Sequence, residues 1–456
     1  MSETLEQYSA GIEELGRRLG LDYYPVDFEL APASLMTEIA VYGLPVRMPH
    51  WSFGVRYIHQ LVRQSMGHSH IFEVMFPGDP CRAYLTDGNT LAENTLVTAH
   101  VLGHADFAKN NSLFARFHEQ AGGNIIEMAA AHAHRIQLAI DENGIERVEA
   151  VLDAALALES HIDIDKELHR ELYPTRVAPR KAVEKGAFQQ RFDRLPEDSP
   201  TPVEEPADEH PPRVSIPPHP EYDLLWFIAH YGPELEQWER DIFLAVRREA
   251  AYFYPVFACQ IMNEGWASYW HARLLREADF LPQPLYLSAI KAHSDVVRPF
   301  AADQQTALAV NPYHLGFTLW EHIVEKSGME EARRIVRDED DFGFVRNHLD
   351  RELAEKLDLF TFEAKNDGEI RVVTRDLDEI REAILAPKFN YGAPRIAVSE
   401  LRQDGTLVLT HDCSSDGRGL DPSRANRVIQ YIRRVWRRPV RLNTVDSRGQ
   451  PHELSA

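Results

Sequence analysis

The chain has 456 residues with 71 Asp and Glu against 49 Lys and Arg, a formal charge of −22, so most of its surface repels nucleic acid. Hydrophobic residues make up 44%, enough for a sizeable core in more than one domain, yet no apolar run reaches the length of a bilayer span. Cys81, Cys259 and Cys413 stand apart, with no CxxC and no disulfide framework, which predicts a soluble, cytoplasmic protein in a reducing compartment.

In chain order, MSETLEQYSAGIEELGRRLG reads as an amphipathic helix with acidic residues, not as a signal or transit peptide. Helical periods recur over 55–66, 90–108, 112–142 and 145–160, so the first 173 residues are expected to be mostly helical. The interval 174–220 is rich in proline and charge and is expected as a surface excursion. Helical patterning resumes at YDLLWF and runs, with breaks, to about residue 360. The last sixty residues change period. RIAVSELR and TLVLTHD alternate as strands about the turn QDG, followed by a helix over 421–438 and a strand from 439. The predicted fold class is mainly α, with a large helical body over 1–390 and a small C-terminal α+β module, ββαβ, over 395–456. Within that module Arg433, Arg434, Arg437, Arg438 and Arg441 form a basic patch. It reads as a solvated helix face or as a docking site for an acidic partner.

Three stretches carry candidate chemistry. In DGNTLAENTLVTAHVLGHADF, Thr90 and Glu93 fit a capping box, which gives Glu93 a structural task. Leu96, Val97, His100, His104 and Phe107 then follow one stripe. Two imidazoles four apart lie about 5–6 Å from each other at their origins, close enough to converge on one ion. This is half of the zinc-protease HExxH pattern, but Val101 stands where the glutamate base belongs, and no HExxH occurs in the chain. The pair reads as a metal half-site or as two core histidines bonded to neighbours. In MNEGWASYWH, Glu264, Ala267, Ser268 and His271 share a helix face whose small residues leave space for an ion, a substrate or another helix's backbone. Glu264 and His271 stand about 10 Å apart along the axis, so one would ligate and the other orient. In NIIEMAAAHAHRIQLA, Glu127, His132 and His134 lie on a further helix. The aromatic clusters MPHWSFGVRY, REAAYFYP and NPYHLGFTLWEHI suit pocket walls or helix packing. There is no P-loop, Rossmann fingerprint or GxSxG elbow, and no Glu-x-x-His pair of the ferritin-like di-iron kind.

MPHWSFGVRY, AYLTDGNTLAENTLVTAHVLGHADFAKNN, REAAYFYPVFACQIMNEGWASYWH and NPYHLGFTLWEHI, in that order, resemble the stage V sporulation protein R (SpoVR-like) family. The resemblance implies a role in spore cortex or cell-envelope assembly, or a stress response in bacteria that form no spores. It also implies serine-kinase-like and von Willebrand-type partner proteins. NEGWASY is similar to the segment in which gluzincin metallopeptidases place their third zinc ligand. Carried over, His100, His104 and Glu264 are the metal ligands. Glu264 lies 160 residues beyond His104, further than that class usually allows, and the proton-handling group would come from Glu127, His134 or His271.

These readings lead to a divalent metal, zinc in the first instance, and a metal-dependent hydrolase acting on an amide-type, peptidoglycan-related substrate. The alternative is a non-catalytic assembly factor in which the same side chains form a satisfied interhelical network. Metal-dependent redox chemistry is a third class.

Overall fold

The computed structural model describes residues 3–42, 50–65, 72–166, 216–298, 310–364, 370–414 and 417–456. The predicted excursion at 174–220 lies outside them up to residue 215. The protein is mainly α and divides into two compact units. The first comprises Met1–Ser160 and Glu236–Ala393, and the second His161–Leu235 and Pro394–Ala456.

The first unit begins with α1 (Glu3–Arg18), β1 (Val26–Ala31), α2 (Ala33–Tyr42), α3 (Trp51–Ser65), β2 (Glu73–Phe76) and β3 (Cys81–Thr86). α4 (Leu91–Asn110), α5 (Ser112–Gln120), α6 (Ile125–Asn143) and α7 (Ile145–Ala157) follow. After α8 (Leu224–Tyr231), which belongs to the second unit, come α9 (Gln237–Ala258), α10 (Gln260–Glu277), α11 (Gln283–Val296) and α12 (Pro312–Asp338). The unit closes with α13 (Asp341–His348), α14 (Arg351–Lys356), the hairpin β4 (Thr361–Ala364) and β5 (Ile370–Thr374), and α15 (Leu377–Leu385).

One sheet was not legible in the helical patterning. β3 is its central strand, parallel to β1 and antiparallel to β2. Two of its strands span six residues and one spans four, too short for a two-residue period to stand out against the surrounding helices. The predicted helix over 112–142 is two, α5 and α6, because Gly122 and Gly123 take φ of +71° and +78° between them.

α4 is the unit's axis. Thr90 and Glu93 close the expected capping box, Glu93 N donating to Thr90 Oγ1 at 3.2 Å and Thr90 N to Glu93 Oε2 at 2.7 Å. Downstream of Leu91 nearly every side chain is buried, polar ones included, so α4 is covered on all sides, as an interior helix must be. α10 packs on α4 and α12 at backbone distance. A Cβ on Gly103 would stand 2.6 Å from Ala267 Cα, and one on Gly265 2.3 Å from Gly316 C. Only glycine permits those crossings. The start of α10 is held by buried Asp341, which accepts from Ile261 N and Met262 N at 2.9 Å each and pairs with Lys388 at 2.8 Å. Trp320 Nε1 donates to Met262 O, and Trp266 Nε1 to Asp106 Oδ2.

The second unit holds the C-terminal elements β6 (Ile396–Leu401), β7 (Leu407–His411), α16 (Pro422–Trp436), β8 (Val440–Val445) and β9 (Pro451–Ser455), with strand order β6-β7-β8-β9. β9, antiparallel to β8, extends the expected ββαβ order to ββαββ. Residues 161–166 and 216–235 pack with this module. Glu221 bridges Val398, His161 Nε2 donates to Pro394 O at 3.1 Å, and Phe227 stacks on Trp436. In the basic patch Arg438 pairs with Glu234 and Arg441 with Glu453.

Candidate functional site

Four helices and one strand of the first unit converge on a cluster of imidazoles and carboxylates. α4 supplies His100 and His104 from successive turns of its buried stripe, their ring centroids 4.5 Å apart and their planes at 84°. Facing them on α10, Glu264 Oε2 lies 3.4 Å from His104 Nε2 and 3.6 Å from His100 Nε2. The close α4–α10 crossing at Gly103 brings these neighbours of the glycines together.

The other ring nitrogens are engaged. His104 Nδ1 is 2.9 Å from Asn263 Oδ1, and since a carbonyl oxygen only accepts, His104 carries its proton there. His100 Nδ1 is 2.9 Å from His271 Nδ1, and His271 Nε2 is 2.6 Å from His293 Nδ1 on α11. With His100 donating, the three rings form one consistently polarised chain from His100 through His271 to His293. His100 Nε2 then turns a lone pair to Glu264 Oε2, and His104 Nε2 faces the same oxygen with a lone pair when the ring is neutral or a proton when it is charged. Their separations exceed the 2.7–3.2 Å of a nitrogen–oxygen hydrogen bond. Among the described residues Glu264 Oε2 is shielded and has no hydrogen-bond partner; the same holds for Ser268 Oγ one turn along α10.

The electrostatics favour a positive charge at this point. Burial works against charging His104, yet the Glu264 carboxylate raises its pKa. Burial likewise pushes Glu264 up, but the imidazoles of His104 and His100 hold it well below the usual carboxylate range. His271 is pushed far down by burial and by the neighbouring rings of His100 and His293, so it stays neutral. Tyr313, near the start of α12, stacks on His100 with centroids 6.2 Å apart. Burial, and then the charges of Glu264 and Glu73, keep its phenol protonated.

Sequence reasoning had not singled out Glu73. It sits at the start of β2, and its carboxylate together with His100 and His104 offers three ligand atoms within 4.8 Å of one another. Only strand pairing brings it there, and its flanking residues carry no motif. Tyr313 lies in NPYHLGF, one of the aromatic clusters noted as pocket walls.

Of the sequence candidates, His100, His104, Glu264 and His271 come together. Glu127 and His134 do not: both are exposed on α6. The 3.6-residue period puts Ile125, Ala129, His132 and Ile136 on the buried stripe of that helix instead. There His132 Nδ1 is 2.9 Å from Glu249 Oε1 on α9, a buried interhelical pair.

A largely apolar cavity of about 550 Å³ lies in the same unit, and none of the cluster residues lines it. Its walls include Ala105 and Ala108, which follow His104 on α4, and Val74 and Met75, which follow Glu73 on β2. Tyr252 and Phe253 of REAAYFYP complete the apolar side. The volume is in the range of small-molecule sites.

A family model described as "SpoVR like protein" matches residues 1–392, and one described as "SpoVR-like C-terminal domain" matches residues 394–447. The chain is similar to "Uncharacterized protein YcgB" of Escherichia coli (strain K12), 28% identical over 468 residues, covering 95% of this chain and 90% of that protein. No solved structure matches the chain.

Proposed function

The chain belongs to the SpoVR-like family, and for this member we propose a metal-dependent hydrolase in which His100, His104 and Glu264 hold one divalent ion. The observation that carries the reading is the spacing of their facing atoms. Donors bound at 2.0–2.1 Å around a tetrahedral zinc stand about 3.3 Å from each other; here the two histidine–glutamate separations are 3.4 and 3.6 Å. A carboxylate oxygen facing two imidazole nitrogens at that spacing is stabilised by a cation between them.

A bound divalent ion would supply Lewis acidity for a carbonyl and lower the pKa of water. The chain's own residues do the rest. Asn263 and His271 fix the tautomers and orientations of His104 and His100, as outer partners of metal-binding imidazoles do. Glu73 takes the place of the base carboxylate missing after His100 and accepts the proton from the attacking water. The Tyr313 phenol, kept protonated, donates to the Glu264 carboxylate and helps to orient it. The family's sporulation label fits a cell-envelope amide of the peptidoglycan type.

Metal analysis of freshly purified, untagged protein tests this. About one equivalent of zinc or another divalent ion is expected, lost in His100→Ala and in Glu264→Gln but retained in Glu73→Gln. Metal-free protein whose melting temperature ignores chelators would overturn the reading. It would leave a protonated His104–Glu264 pair in a non-catalytic assembly factor. Iron as the bound ion, with visible absorption that changes on oxidation, would move the assignment from hydrolysis to redox chemistry.

A further inference from the structure

Five elements wall the apolar cavity: Ile39 comes from α2, Phe76 from β2, Ala108 from α4, Phe114 from α5 and Val256 from α9. At about 30 Å³ for each water displaced, its 550 Å³ hold on the order of 18 water-sized groups. Phe253 and Val256 line it and are also 37% and 48% exposed, so apolar side chains form its mouth. An apolar molecule entering it leaves water along most of its surface, which is favourable in proportion to the area buried.

Most polar groups in the wall are already matched within the protein. Cys81 Sγ donates to Gly78 O at 3.2 Å and the Tyr252 hydroxyl to Pro77 O. Burial raises the pKa of both, so neither ionises near neutral pH. Lys109 pairs with Asp22 and lies over the Tyr24 ring, and Arg56 pairs with Glu159. An anion would therefore find no unpaired Lys or Arg in the described wall, and a cation only Glu119, which is exposed to water. Either would give up hydration without a partner to replace it. His118 differs: its Nδ1 is shielded and has no hydrogen-bond partner among the described residues. A shielded nitrogen left open is costly, and a ligand hydroxyl or carbonyl would relieve that cost.

We propose that this cavity binds an uncharged, largely apolar small molecule that carries one hydrogen-bonding group, with the apolar walls supplying affinity and His118 the polar contact. It uses the aromatic cluster REAAYFYP, whose Tyr252, Phe253 and Pro255 all line it. The assignment stands whether or not the metal reading does, because no member of the imidazole cluster lines the cavity.

Fluorescence titration of the full chain with N-phenyl-1-naphthylamine, an uncharged apolar probe with one N–H, tests it. One saturable site is expected. Ala115→Trp and Val256→Trp, at exposed wall positions on α5 and α9, are expected to weaken it about tenfold or more while leaving the melting temperature within a degree or two. Leu287→Ser, at a leucine 58% exposed on α11, is expected to leave it unchanged. In displacement, 1-naphthol is expected to compete about threefold or more better than naphthalene, and about tenfold or more better than the anion 1-naphthoate. His118→Leu is expected to abolish the advantage of 1-naphthol over naphthalene. Absence of saturable probe binding, or binding that neither tryptophan variant weakens, would overturn the proposal. Tighter binding of 1-naphthoate than of 1-naphthol would overturn the choice of an uncharged ligand, and a 1-naphthol preference that survives in His118→Leu would remove His118 from the site.

Discussion

Replacing Gly103 with alanine places a methyl carbon 2.6 Å from Ala267 Cα and 3.3 Å from its Cβ. Ordinary van der Waals contact starts at 3.4 Å, so α4 and α10 must separate by about 0.8 Å. His104 is the next residue on α4 and Glu264 lies on the facing helix, so their 3.4 Å separation widens to about 4 Å, beyond what one tetrahedral ion spans. Overpacking costs about 1–3 kcal/mol, and the helix propensity gained in exchanging glycine for alanine returns about 1 kcal/mol. The net loss of stability is therefore small, about 0–2 kcal/mol. Metal affinity is expected to fall by about 10–100-fold, as it does when ligand geometry loses its support. Chelator competition and thermal unfolding, measured on the same preparations, separate the two effects. Gly54→Ala, in open space on α3, is the control and is expected to be neutral or stabilising by up to about 1 kcal/mol. A Gly103→Ala protein with parental metal affinity and an unchanged or higher melting temperature would refute the crossing as the device that sets the site.

Asp341→Ala is expected to cost about 3–5 kcal/mol in urea unfolding, because it strands buried Lys388 and frees Ile261 N and Met262 N at the start of α10; a loss below about 1 kcal/mol would show that α10 is held elsewhere. His271→Ala leaves His100 Nδ1 without its acceptor and is expected to weaken metal binding about 10–100-fold with Glu264 intact, read by chelator competition. Burial pushes His161 down to about 4 from 6.5, so the unfolded chain binds the extra proton across that interval. Its contribution is fully present above pH 6.5 and is lost as the pH falls toward 4, by up to about 3 kcal/mol. Melting curves of the parent and His161→Gln over pH 4–7 should converge at the acid end; a constant difference would contradict this.

Local and periodic signals were enough for much of the molecule. The capping box at Thr90, the buried stripe through His100 and His104, the small face between Glu264 and His271, and the β6-β7-α16-β8 order all depend on residues within a few positions of one another. Sequence therefore specified a mainly α chain and named four members of the cluster. It did not separate His132, which is buried against Glu249, from Glu127 and His134, which face solvent, because all three share one polar-apolar segment. Nor did it place Glu73, whose approach to His100 and His104 follows from strand pairing in the β1-β3-β2 sheet. Periodicity records which side chains share a face. What each face meets is decided by close packing between segments far apart in the chain, and at Gly103, Gly265 and Gly316 that packing operates at backbone distance.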